Sequence, residues 1–224
     1  MSAAPERSTE RDEALARAVP FVAELGWGWR ALAAGLVDGG HPAESARLEA
    51  ELLFPGGAGD MIACFIDLAD RDMARIAAEP GFAELRSTGR VKTLVLGRLA
   101  ALAGHREAVR RALGVLAQPC HGRVAAGSLA RTVDEIWHLA GDASTDFSWY
   151  TKRAILAAVY SATLLFWLRD DSEDGAATAA FLDRRLAGVG RIGKLRGQVE
   201  GRLGAGLEAL RSRLRPARPP SANA

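Results

Sequence analysis

Two groupings in this 224-residue chain hold residue types that do catalytic or metal chemistry. Glu135-Ile136-Trp137-His138 sets a carboxylate and an imidazole at i, i+3, the spacing by which di-iron carboxylate bundles hold metal. Such a centre needs a second Glu-x-x-His and two further glutamates facing it, and the sequence has no second copy. Cys120-His121, with His105 or His138, offers a thiolate and imidazoles at a spacing that fits no standard zinc site. No Gly-rich phosphate loop follows a strand, and no nucleophile stands beside a base. The chain is therefore expected to be a non-enzyme, with no metal and no cofactor.

The sharper signal is recognition chemistry. Ser144 to Asp171 begins with Asp146, Trp149, Tyr150, Lys152 and Arg153. Aromatic rings beside cations suit a surface that is apolar on one side and wet on the other, and Arg153 has the planar fork that carboxylates and phosphates favour. Ala154 to Leu168 then carry no charge, with Ala154, Ala157, Ala158, Ser161 and Ala162 small and Leu164, Leu165, Phe166 and Trp167 large. At 15 residues the run falls short of the ~20 a spanning helix needs. Two readings stay open: a core helix that is apolar all round, or one wall of a groove that takes a lipid chain.

The elements that position these residues read as helical, for strand signals are essentially absent. A first helix is expected from Thr9 to Leu25, started by Thr9 and Asp12, kinked or delayed by Pro20 and stopped at Gly26. Two short helices follow, Trp29 to Val37 and Pro42 to Leu53, with Pro42 at a first helical position. Longer segments are expected at 59–78, 82–103, 105–117, 123–140, 146–169 and 175–189, and a last one at 193–215. Two short helices at a turn, then a larger bundle, is the plan of TetR-type regulators. Reading DNA, however, needs phosphate-neutralising and base-reaching side chains. Pro42 to Leu53 offers Glu44, Glu49 and Glu51 against a single Arg47. No nucleic-acid partner is expected.

Charge divides the chain. From Arg191 to Arg218 there are eight cations against Glu200 and Glu208, a net +6 that leaves −4 for the rest. Within this tail Leu195, Val199, Leu203, Leu207, Leu210 and Leu214 form one apolar stripe, interrupted by glycines that weaken a helix in water. Such a basic amphipathic segment suits a membrane surface or a partner. The reading is of a segment 1–55 resembling a helix-turn-helix, a bundle at 56–190, the amphipathic helix at 191–215 and a disordered tail at 216–224. The charged N-terminus is not a secretory signal, and Cys64 and Cys120 read as buried free thiols. A cytoplasmic protein lying peripherally at the inner face of the cell membrane is expected.

The stretches T-V-D-E-I-W-H-L-A-G-D-A-S-T-D-F-S-W-Y-T-K-R-A-I-L-A-A-V-Y-S-A-T-L-L-F-W-L-R-D-D-S-E, F-L-D-R-R and R-I-G-K resemble the ubiquinone-biosynthesis accessory protein family. G-W-G-W and L-L-F-P-G-G fit that family's degenerate helix-turn-helix. The resemblance implies an all-α, TetR-like fold and a non-catalytic homodimer. It implies a protein that binds an isoprenoid quinone intermediate or a phospholipid and presents substrate to demethoxyubiquinone hydroxylase. It places the hydroxylase-facing surface at Asp146, Trp149, Tyr150 and Arg153, and a phospholipid head group at Arg153. With the groove reading, lipid would lie along Ala154, Ala157, Ala158, Ser161, Ala162 and Leu165. The tail stripe would contact membrane. The competing reading is a TetR-type regulator that senses a hydrophobic ligand.

Overall fold

The computed structural model describes residues 4–144 and 147–188. Helix α1 (Thr9–Leu25) is capped by Ser8 instead of Thr9: the Ser8 Oγ accepts from Arg11 N at 3.1 Å. Its buried face, Arg11, Ala14, Leu15, Ala18, Val19 and Val22, keeps helical spacing. The helix runs through Pro20 and ends at Gly26, whose φ of +75° only glycine adopts readily.

Both tryptophans of G-W-G-W are anchors. Trp27 Nε1 donates to Ala108 O at 2.9 Å, and its ring lies 5.2 Å from that of Phe65. Trp29 Nε1 donates to Phe54 O at 3.1 Å. The second of them is the first residue of α2 (Trp29–Asp38), which crosses α1 so closely that a Cβ on Gly35 would sit 2.6 Å from Ala18 N. Helix α3 (Ala43–Leu53) follows, with Pro42 extended at its cap instead of inside its first turn. Only Ala46 and Ala50 of α3 are buried, while Leu48 and Leu52 are 61% and 72% exposed.

The central element is α4 (Gly57–Ala77), whose buried face includes Met61, Ile62, Phe65 and Met73. Ion pairs clamp the N-terminal segment to it: Arg7–Asp67 at 2.7 Å, Arg11–Asp60 at 2.7 Å and Arg71–Asp12 at 2.8 Å. Arg11 is buried and lies 4.2 Å over the Phe54 ring. The segment expected at 82–103 is broken. A single 3-10 turn, Phe82–Glu84, is followed by extended Leu85 and Arg86, and α5 (Ser87–Ala101) starts afresh. Arg90 stabilises the break by donating to Leu85 O at 3.0 Å and Ala83 O at 2.5 Å.

Helices α6 (Arg106–Leu116), α7 (Gly122–Leu139) and α8 (Phe147–Trp167) complete the bundle, with α4 packed on α5 and α7, and α7 on α8. The C-terminus of α8 is capped from α6. Arg106 donates to Asp170 O at 2.5 Å and lies 4.8 Å over the Trp167 ring, and Arg110 donates to Leu168 O at 3.0 Å. Helix α9 (176–188) is started by Asp170, which accepts from Thr178 N at 2.7 Å, and by Ser172, which accepts from Ala177 N at 2.9 Å.

The chain divides after Leu182 into a first compact unit and a second beginning at Asp183, of which residues 183–188 are described and helical. The segments expected at 191–215 and 216–224 lie outside the described residues, as do Leu195, Val199, Leu203, Leu207, Leu210 and Leu214 and, before α8, Asp146. Among the described residues no single helix is long and apolar enough to cross a membrane, and there is no strand. Cys64 is buried, its thiol pushed up to about 11 by burial, whereas Cys120 is exposed, contrary to the expectation of two buried thiols.

Candidate functional site: a cavity and an aromatic patch on one helix

Helices α6, α7 and α8 each turn one face to a cavity of about 330 Å³, within the range of roughly 300–1,000 Å³ typical of small-molecule pockets. From α6 come Val109, Ala112, Leu113 and Leu116. From α7 come Ala125, Ser128, Leu129 and Thr132. Both sets step i, i+3, i+4, i+7, one stripe of a helix. Helix α8 adds Tyr160, Ser161, Leu164 and Leu165. The void exists because Ala112, Ala125, Ser128 and Ser161 stand in these stripes where larger side chains would meet. Its rim lies at Leu165, which is 58% exposed, and its inner end at Arg98 of α5, which is 3% exposed.

That inner end is polar. Arg98 Nε donates to Asp70 Oδ1 at 2.9 Å, and Nη1 to the Tyr160 hydroxyl at 2.6 Å. Thr132 Oγ1 donates to both Asp70 oxygens at 3.0 and 2.9 Å. Burial pushes the Asp70 carboxyl upward against the pull of Arg98 and Thr132, and pushes the Tyr160 phenol upward against Arg98.

The aromatic patch lies at the other end of α8. Trp149 and Tyr150 meet edge to face, ring centres 4.8 Å apart, and Tyr150 is 69% exposed. The Arg153 guanidinium stacks 3.7 Å from the Trp149 ring and pairs with Asp134 and, at 3.5 Å, with Asp142. Asp142 also takes Lys152 at 2.6 Å and Ser144 Oγ at 2.7 Å. Burial raises its carboxyl, but the bonds from Lys152 and Ser144 outweigh that and hold it below the usual carboxylate range. From Tyr150 to Leu165 is 15 residues of helix, about 22 Å.

Of the residues expected along a lipid groove, Ser161 and Leu165 line the cavity. Arg153, Ala154, Ala157, Ala158 and Ala162 are not among its lining residues, and Ala154 and Ala158 are exposed. Arg98, Asp70, Thr132 and Tyr160 were missed by sequence reasoning. Their signal was register: Arg98 falls in step with Val91, Leu94 and Val95, and Asp70 with Ile62, Phe65, Ala69 and Met73, on the buried faces of their helices. Cys120 Sγ lies 3.3 Å from His121 Nδ1 in an exposed turn, and no three potential metal ligands converge among the described residues.

A fission yeast ubiquinone biosynthesis protein, coq9, is 36% identical over 205 residues, which cover 90% of this chain and 78% of that protein. The chain belongs to the COQ9 family. The sequence model of that family, COQ9, matches residues 123–193, the stretch that holds most of α7, the aromatic patch and α8. The rat and human ubiquinone biosynthesis proteins COQ9 are each 33% identical over 193 residues, 83% of this chain. The chain spans 60% of the rat relative's length and 59% of the human one's. A crystal structure of a TetR transcriptional regulator from Nitrosomonas europaea matches with a TM-score of 0.64 and 27% identity, over 80% of this chain and 97% of that one. The fold of this COQ9-family chain is thus all-α and TetR-like, as the helical plan implied. The expected cytoplasmic location is overturned, because the rat, human and fission yeast relatives are named as mitochondrial proteins. Cysteine usage points to reducing surroundings, and that criterion does not tell one reducing compartment from another.

Proposed function

We propose that this chain is a non-catalytic accessory protein of ubiquinone biosynthesis that holds an isoprenoid quinone intermediate, or a phospholipid, and delivers substrate to demethoxyubiquinone hydroxylase. The observation that carries the reading is the apolar, half-open cavity between α6, α7 and α8. A pocket of this size, lined mostly by aliphatic side chains, favours a hydrocarbon-rich ligand. The names of the rat, human and fission yeast relatives support the pathway. The patch at Trp149 and Tyr150 supports the partner surface, since an exposed tyrosine packed on a half-buried tryptophan that a stacked arginine stiffens is the composition of an interface anchor. The basic, leucine-striped tail supports peripheral membrane contact. A homodimer completes the reading.

Solvent extraction of the purified protein, followed by mass spectrometry, should recover a stoichiometric lipid. Ala112→Phe, which fills the cavity from α6, should reduce that yield severalfold without loss of helicity. Equal yields from the two proteins would remove the cavity from the argument.

The second reading, a regulator sensing a hydrophobic ligand, is favoured by the TetR structural relative. Against it, α3 exposes Leu48 and Leu52, and its Arg47 is paired with Glu51 at 3.0 Å. Salt-sensitive duplex binding at physiological ionic strength would restore it.

A further inference from the structure

The inner end of the cavity offers hydrogen-bond donors without net charge. Asp70 stands behind Arg98 and balances it, and neither is more than 6% exposed. The Tyr160 oxygen accepts from Arg98 at 2.6 Å, so the phenol keeps its own proton to give. Arg98 uses Nε and Nη1 on Asp70 and Tyr160, while Nη2 reaches Ile66 O at 3.5 Å, beyond a good bond. Donors therefore remain at an end that bulk water does not reach.

A hydrocarbon tail pressed against those donors would leave them unmatched, which is costly in a buried site. An anionic head would place a second negative charge beside Asp70 with one arginine to serve both, and an uncompensated buried charge is costlier still. The remaining match is a neutral oxygen. We infer that the ligand binds through an uncharged carbonyl or alkoxy oxygen seated on Tyr160 and Arg98, with its apolar tail running out past Leu165. The inference rests on the reading that the cavity holds a lipid, and it names that lipid's polar end and direction.

Four probes applied to the full chain test it by titration calorimetry: decyl-1,4-benzoquinone, methyl laurate, decylbenzene and laurate. The quinone or the ester should bind about tenfold more tightly than decylbenzene, the value of one net hydrogen bond. Whichever of the two is tighter names the source of the oxygen as ring or acyl. Laurate should bind no better than decylbenzene. Tyr160→Phe should erase the tenfold preference and leave decylbenzene affinity unchanged. If that variant fails to fold, the probe series on the unaltered chain decides alone. Equal binding of neutral-oxygen probes and decylbenzene, or tightest binding of laurate, overturns the inference while leaving a lipid cavity intact. Failure of all four to bind overturns the lipid reading itself.

Discussion

The guanidinium of Arg98 and the carboxylate of Asp70 form an ion pair at 2.9 Å that joins α5 to α4 beneath the cavity, with 3% and 6% of the two residues exposed. Removing one partner of such a pair strands a charge away from water. Asp70→Ala should cost about 3–5 kcal/mol, read from urea unfolding. The joint replacement Asp70→Leu with Arg98→Met, which removes both charges, should recover most of that loss. A small effect of Asp70→Ala would mean that water reaches Arg98.

A second prediction concerns acid. Hydrogen bonds from Ser172 and Thr178 hold the Asp170 carboxyl well below the usual carboxylate range. A depressed folded pKa means that the unfolded chain takes up the proton first as pH falls. Asp170 therefore contributes stability that is complete near neutral pH and drains away below about pH 4, its ordinary range. Asp170→Asn should flatten the acid limb of a stability-against-pH curve. An unchanged slope between neutral and acid pH counts against this assignment.

The crossing of α1 and α2 at Gly35 leaves no room for a methyl group, since Ala18 N and Arg17 C lie 2.6 and 2.7 Å from its would-be Cβ. Both are backbone atoms and cannot rotate away. Gly35→Ala should destabilise the chain by about 1–3 kcal/mol, as overpacked cores do, seen as a lower thermal midpoint. The same change at exposed Gly104, where nothing lies within 4 Å, should leave the midpoint almost unmoved.

For the patch, Trp149→Ala with Tyr150→Ala should abolish hydroxylase capture in a pull-down while circular dichroism stays helical. Arg153→Ala is the contrasting case. It removes the stack on Trp149 and the pairs with Asp134 and Asp142, so it should weaken capture and also lower the thermal midpoint. Capture that survives the double change moves the partner surface elsewhere.

Much of the helical plan could be read in advance because its punctuation is local. Gly26 acts through its own backbone, and the starts and stops of α1, α2, α7 and α8 fall within a residue or two of expectation. The break at Phe82–Glu84 was hidden because Arg90, six to eight residues downstream, reaches back to cap it. The cavity was hidden for a related reason. Asp70, Arg98, Thr132 and Tyr160 lie on four helices, and 28 residues separate the first two, so no spacing rule joins them. The alanines of α8 were visible, but small residues announce a groove only where a neighbouring helix turns its own small residues toward them. That happens around Ser161, facing Ala112, Ala125 and Ser128, and not around exposed Ala154 and Ala158.

One end of the cavity is fixed by the Arg98 ion pair and the other is open at Leu165. A container closed at one end only is no yardstick. It can reject a molecule by the shape of what goes in first, but it sets no upper limit on what trails behind. Homologous tails of different length should therefore compete on nearly equal terms, and any discrimination by length must come from outside the cavity.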